Sequence, residues 1–250
     1  MTAEPALVAE GRHLVEQAGQ RGIPLRLLGG TAVWIHSSPR AREVLGRAYP
    51  DVDLVTRPQQ GRGLRELLQA LGYQPERTFN AVHGARRLLY HAPGGGHHLD
   101  VFLGRFEMSH QLDLAPRLEV EAVTIPAAEL LLTKLQVAEL NRKDVSDAVM
   151  LLLDHELGDA DGPGLLNVAR IAELCAGDWG LHTTVSDNLV QVGARLDQLL
   201  PQPDLRAQVP ARVAALEAAL LARPKTLRWK ARARAGRRIR WYETPEEVSR

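Results

Sequence analysis

Asp51 and Asp53, in the stretch Tyr49-Pro50-Asp51-Val52-Asp53-Leu54-Val55-Thr56, are two carboxylates separated by one apolar residue. In a strand, alternate side chains share a face. This spacing therefore projects both carboxylates together while Val52 and Leu54 enter a core. Two like charges on one face repel, and each resists losing its water. A fold tolerates that most readily where a cation sits between them. Hard oxygen donors with no thiol beside them suit Mg²⁺ or Mn²⁺ rather than zinc. A solvated strand face ending in a turn carries the same pattern, so the flanking residues must decide between the two.

Upstream, Leu25-Arg26-Leu27-Leu28 reads as a short apolar strand running into Gly29-Gly30-Thr31 and then Ala32-Val33-Trp34-Ile35, a helix start. A strand that breaks at Gly-Gly and opens a helix gathers unpaired backbone N–H groups and a positive dipole end at one spot. The glycines let a phosphate approach closely, and Thr31 is expected to cap the helix or reach that phosphate. Downstream, Pro93-Gly94-Gly95-Gly96 is a turn. His97 to Leu103 then reads as a strand with Leu99, Val101 and Leu103 inward and His98 and Asp100 on the opposite face.

The elements that must hold these residues follow from periodicity. Residues 5–20 read as a helix, 37–48 as a polar, Arg-rich connection, and 63–71 as a second helix. One or two strands are expected within 78–90, of which Arg87-Leu88-Leu89-Tyr90 is the clearer, and another over 118–124. From Pro126 onward the pattern becomes helical: 126–138, 144–153, and then segments near 165–175, 181–200, 205–221 and 226–235. Gly158 to Gly164, rich in Gly and Asp, is the expected domain junction. The fold class is therefore α+β, a mixed sheet flanked by helices over residues 1–158, followed by an all-helical C-terminal region over 159–250.

The chain of 250 residues has ordinary apolar and charged fractions and few aromatics, so its core should be aliphatic. The single Cys175 excludes an intrachain disulfide framework and a thiolate metal site of its own. No apolar run approaches the length of a membrane span, and no basic region followed by an apolar stretch opens the sequence; a cytoplasmic protein is expected. The near-zero net charge hides an asymmetry. Up to residue 160 there are 17 Lys+Arg against 20 Asp+Glu, and from 161 onward 14 against 10. Nine of those basic residues fall between Arg223 and Arg240, with no acid among them. That segment interleaves Arg228, Lys230, Arg237 and Arg238 with Trp229, Trp241 and Tyr242. Cations neutralise phosphates and aromatics stack on exposed bases, which is one reading; a docked C-terminal helix with solvated arginines outside is the other.

Taken in order, strand, Gly29-Gly30-Thr31, helix, the Asp51-x-Asp53 strand and a later strand with Asp100, the chain resembles the nucleotidyltransferase superfamily typified by DNA polymerase beta. It looks closest to the prokaryotic branch that includes abortive-infection toxins. That branch follows its strands with a helix bearing a Lys and then a basic-Asp-x-x-Asp helix; Lys134 and Lys143-Asp144-Val145-Ser146-Asp147 match. The resemblance implies transfer of a nucleoside monophosphate from an NTP, such as ATP, to an acceptor hydroxyl, with Mg²⁺ or Mn²⁺ as cofactor. Asp51, Asp53 and Asp100 would be the catalytic and metal-binding carboxylates, Asp100 also taking the proton of the attacking hydroxyl. Gly29, Gly30, Thr31, Lys134 and Lys143 would bind the nucleotide. The implied acceptor is an RNA end, tRNA included, a protein side chain or a small molecule such as an aminoglycoside, with the basic tail favouring RNA, and a cognate antitoxin protein is an implied partner.

The sequence also departs from the family pattern. Nineteen residues separate Thr31 from Asp51, and Tyr49 stands where relatives place a hydroxyl residue, although Arg47 fits their basic position. The alternative is thus a degenerate member that binds a nucleotide or a partner without turnover.

Overall fold

The computed structural model describes residues 4–244. Met1 to Ala3, part of the segment read above for an export signal, lie outside the described residues. In chain order the elements are α1 (Ala6–Gln20), β1 (Arg26–Leu28), α2 (Gly29–His36), α3 (Pro39–Leu45), β2 (Asp51–Thr56), α4 (Gly61–Ala70), β3 (Gln74–Pro75), α5 (Arg77–His83), β4 (Arg87–His91), β5 (His98–Leu103), β6 (Arg105–Glu107) and β7 (Gln111–Asp113). There follow α6 (Ala127–Leu135), α7 (Arg142–Asp154), β8 (Glu156–Gly158), β9 (Leu165–Asn167), α8 (Val168–Gly177), α9 (Trp179–Leu199), α10 (Pro203–Arg206), α11 (Gln208–Ala222) and α12 (Leu227–Ala235). No helix among the described residues is long and apolar enough to cross a membrane.

The chain divides into two compact units: residues 1–35, 46–106 and 112–126 form one, and 36–45, 107–111 and 127–250 the other. The first unit holds a five-stranded mixed sheet of order β1-β2-β5-β4-β3, in which β2 and β5 run parallel and the other neighbours antiparallel. The sheet is built as the alternation predicts. Val52, Leu54, Leu99 and Val101 are fully buried, while Asp51 and Asp53 face the other way and are half-buried. Helix α1 lays an apolar stripe, Val8, Leu14, Val15 and Ala18, on β1 and β2. Gly11 lets it approach so closely that a Cβ there would lie 2.6 Å from Leu27 Cδ2.

Three expectations for this part of the chain change. Residues 77–83 are helical rather than extended because Glu76 caps them, its side chain accepting from the Thr78 N–H at 3.1 Å. The Asn80 amide then takes the place of a neighbouring strand, donating to Leu89 O at 3.0 Å and accepting from Leu89 N at 2.7 Å. Residues 118–124 contribute only one bridge, Thr124 beside Leu27, since β1 is three residues long and offers no longer ladder. The connection 37–48 contains α3, opened by a Ser-Pro start in which Ser38 Oγ accepts from Ala41 N at 3.2 Å.

The second unit is mainly helical. Helix α6 is buried along its whole length and packs on α7, α8 and α9, and α11 covers α7, α8 and α9. The expected junction at 158/159 lies inside this unit. The 158–164 segment joins the short parallel pair β8–β9, and Asn167 Nδ2 closes it by donating to Asp161 Oδ1 at 3.1 Å. The helices of 127–154 thus belong with the C-terminal region, because their apolar faces are satisfied there.

Candidate active site

Everything that the sheet brings to the carboxylates comes from the first unit. The register places Asp53 between Leu28 of β1 and Asp100 of β5, and Asp51 opposite His98. Leu28 is the last residue of its strand, so the chain leaves the sheet beside Asp53 and turns at once into α2. Gly29 makes that turn at φ +68°, a conformation costly for residues with a Cβ. A Cβ on Gly29 would collide with the Asp53 carboxylate, its Cγ lying 2.8 Å away. The start of α2 and the carboxylate are therefore in direct contact, which places the positive end of the helix against a negative charge.

Gly30 is covered differently. A Cβ there would meet Arg47 Nη2 at 2.6 Å and Tyr49 Cδ1 at 2.7 Å. The Arg47 guanidinium stacks on the Tyr49 ring at 4.9 Å, and Tyr49 is itself buried with Val8 and Trp34. This explains the unusual residue before the carboxylate strand: Tyr49 is a packing residue that supports Arg47 over the glycine turn. The Thr31 hydroxyl is buried and directed at Leu28 O at 3.4 Å, so it faces the end of β1.

Asp100 is 7% exposed and is held by Arg87 of β4. Arg87 Nε donates to Asp100 Oδ1 at 2.8 Å and to Oδ2 at 3.0 Å, and Nη2 also donates to Oδ2. The guanidinium lies 5.0 Å from the Phe102 ring and 5.6 Å from the Phe79 ring of α5. Beside it, the His98 ring meets His91 edge-on at 4.8 Å. Among the described residues no partner is found for the buried His98 Nδ1. Glu76, half-buried, bonds His91 Nε2 at 3.4 Å, and this bond together with the Thr78 N–H holds its carboxyl below the usual range.

Arg87 is the residue the sequence reading missed. Its signal lay in the Pro93-to-Gly96 turn. A hairpin closed there pairs 91 with 98 and 89 with 100, placing Arg87 diagonally across from Asp100 on the carboxylate face.

The donor chemistry of Asp51 and Asp53, hard oxygens on one face, fits a divalent cation. Asp100 already shares its charge with a guanidinium, since both of its oxygens accept from Arg87. Among the described residues no group of three or more His, Cys, Asp or Glu side chains is placed to hold a metal ion.

The remaining expected residues lie in the second unit. Lys134 is buried, with Nζ 2.9 Å from Asp147 Oδ2 and 3.4 Å from Asp144 Oδ1. Asp147 is fully buried, so the ammonium is its counter-charge. Lys143 is exposed at the start of α7, whose cap is Asn141, accepting from Asp144 N at 3.0 Å. In the tail, Trp229 turns onto His182 at 5.4 Å and Trp241 onto Trp179 at 5.9 Å. The Trp241 indole donates to Thr184 Oγ1 at 3.1 Å. Arg232, Arg237 and Arg240 stack on Trp179, Trp241 and Tyr242, and Arg237 pairs with Asp187 at 2.7 Å. Arg228, Lys230 and Arg238 are exposed. The aromatics thus dock on the helical unit, and the cations form the outer surface.

No protein-family profile matches the chain, and no curated protein matches it in sequence. Among solved structures, it is similar to the antibiotic-resistance factor ANT(2'')-Ia in solution, with a TM-score of 0.40 and 14% identity, over 86% of this chain and 97% of that one. It is also similar to an antigenic nucleotidyltransferase-like protein from Paracoccidioides brasiliensis, with a TM-score of 0.44 and 19% identity, over 88% of this chain and 94% of that one.

Proposed function

We propose that the chain is a nucleotidyltransferase that moves a nucleoside monophosphate from an NTP to an acceptor hydroxyl, with Mg²⁺ or Mn²⁺ bound at Asp51 and Asp53. The observation that carries the reading is the contact between Gly29 and Asp53. It sets the N–H-bearing start of α2 against a carboxylate that suits a cation, so a polyphosphate and its counter-ion are served at one place. A bound divalent ion supplies charge neutralisation and an oriented phosphate. The chain's own parts then have separate roles. Gly29 keeps the Asp53 side clear, and the backbone of Gly30 and Thr31 offers donors to phosphate oxygens. Arg47, stacked on Tyr49, adds a cation beside Gly30.

RNA, tRNA included, is the acceptor class that the basic tail supports. Its contact is to phosphates through Arg228, Lys230 and Arg238, with Trp229 serving to dock α12 instead of stacking on bases. A toxin-type role with a cognate antitoxin is the finer reading that follows from the family resemblance. Incubation with each labelled NTP, Mg²⁺ and total tRNA or lysate tests the activity. Label is expected to reach RNA with wild type and to disappear with the Asp51→Ala/Asp53→Ala protein; equal labelling by both would refute the proposal.

A binding-only protein is the second reading, favoured by the engagement of Asp100 with Arg87. It predicts a Mg²⁺-dependent thermal shift with one of ATP, CTP, GTP or UTP and no turnover.

A further inference from the structure

Within the second unit, helices α7 and α9 line a cleft of about 270 Å³ with Arg142, Val145, Arg195, Gln198 and Leu199. Two guanidiniums line it and no carboxylate does. Arg195 is held in place by neutral acceptors: Nη1 donates to Leu140 O at 3.2 Å and Nη2 to Gln191 Oε1 at 3.1 Å. These bonds fix the guanidinium without cancelling its charge, and they leave further N–H donors for another group. The first acid on the helix of Arg142 is Asp144, and it bonds Asn141 Nδ2 at 2.6 Å and Lys134 Nζ at 3.4 Å instead. Among the described residues, neither Arg142 nor Arg195 has a carboxylate partner. Val145 and Leu199 are buried apolar walls, beside which an ionic contact is worth more than in open water. A concave site lined by one sign of charge repels itself and draws in the opposite sign.

We infer that this cleft binds a doubly charged terminal phosphate, free or carried by a small monoester, with its oxygens on Arg142 and Arg195. Charge selects this ligand. A terminal phosphate carries about −1.5 to −2 at neutral pH and offers three acceptor oxygens, enough for two guanidinium forks. A carboxylate or a phosphodiester of a nucleic-acid backbone brings one negative charge and leaves one guanidinium uncompensated. Size agrees, since the volume falls just below the ~300–1,000 Å³ of pockets for drug-sized ligands. The Gln198 amide adds a donor and an acceptor for a hydroxyl of the ester. The site is separate from the proposed nucleotidyl transfer at Asp51 and Asp53 and does not rest on it.

The test is titration of the ¹⁵N-labelled full chain at pH 7.5 with inorganic phosphate, glycerol 3-phosphate and dimethyl phosphate. Nuclear magnetic resonance follows the backbone amides of 142–145 and 195–199. Saturable shifts there are expected with both dianions, and binding of the singly charged dimethyl phosphate is expected to be at least tenfold weaker. Tighter binding of glycerol 3-phosphate identifies a monoester as the source, and tighter binding of inorganic phosphate the free ion; either supports the site. Arg142→Gln and Arg195→Gln are each expected to weaken phosphate binding at least fivefold. Shifts confined to Gly29, Gly30 and Thr31 would overturn the inference and leave the nucleotidyl-transfer reading standing. Equal affinity for dimethyl phosphate, or unchanged affinity in both variants, would overturn it as well. Should Arg195→Gln not fold, as judged by circular dichroism, Arg142→Gln, whose side chain is exposed, decides alone.

Discussion

Replacing Gly29 by Ala perturbs two things at once, and the structure allows their costs to be separated. The first is local: a residue with a Cβ held at φ +68° costs about 1–2 kcal/mol. The second is the overlap with Asp53, whose Cγ and Cβ lie 2.8 and 3.0 Å from where the new Cβ must stand. Forcing atoms into an occupied space costs typically 1–3 kcal/mol. Gly29→Ala is therefore expected to destabilise by about 2–5 kcal/mol. Asp53→Gly removes every side-chain atom that collides, so in that background the same change should cost only the local ~1–2 kcal/mol. The coupling energy of the cycle is then about 1–3 kcal/mol, well above the ~0.5 kcal/mol within which independent sites add. Urea denaturation followed by far-UV circular dichroism on the four proteins measures it. A cost below about 0.5 kcal/mol for Gly29→Ala, or a coupling energy indistinguishable from zero, would refute the contact on which the functional reading rests.

Two further outcomes follow from other parts of the chain. Lys134→Met leaves the fully buried Asp147 without its ammonium and should cost about 3–5 kcal/mol, whereas Lys134→Met/Asp147→Leu should recover most of it; a double variant no more stable than the single one in urea denaturation would contradict the pairing. Burial lowers the proton affinity of both His110, where Asp178 opposes the shift, and His182, where Lys225 adds to it. The folded state thus binds fewer protons than the unfolded one at acidic pH, and the stability present above the ordinary value of 6.5 falls as pH drops below it. A melting temperature that declines from pH 7.5 to 5.5, with a shallower decline in His110→Gln/His182→Gln, is expected; the same slope in both proteins would refute the assignment.

The sequence by itself determined the strands that carry Asp51, Asp53 and Asp100, the side of the sheet each faces, and the Gly-Gly break before α2. These are local properties, since a period of two and a left-handed glycine are encoded within a few residues. It also anticipated the helical C-terminal region, and it offered the docked-tail alternative that the positions of Trp229 and Trp241 match. What it missed locally, α3 and α5, had capping signals at Ser38 and Glu76 that periodicity alone does not weigh. Only the tertiary structure decided which charges meet. Arg87 reaches Asp100 through a cross-strand diagonal, and Lys134 reaches Asp147 from one helix to the next. Which partner a carboxylate meets is set by register and packing among residues far apart in the chain. For the pair that opens the site, alternation placed Asp51 and Asp53 on one face; only packing and register brought Gly29 against Asp53 and Arg87 against Asp100.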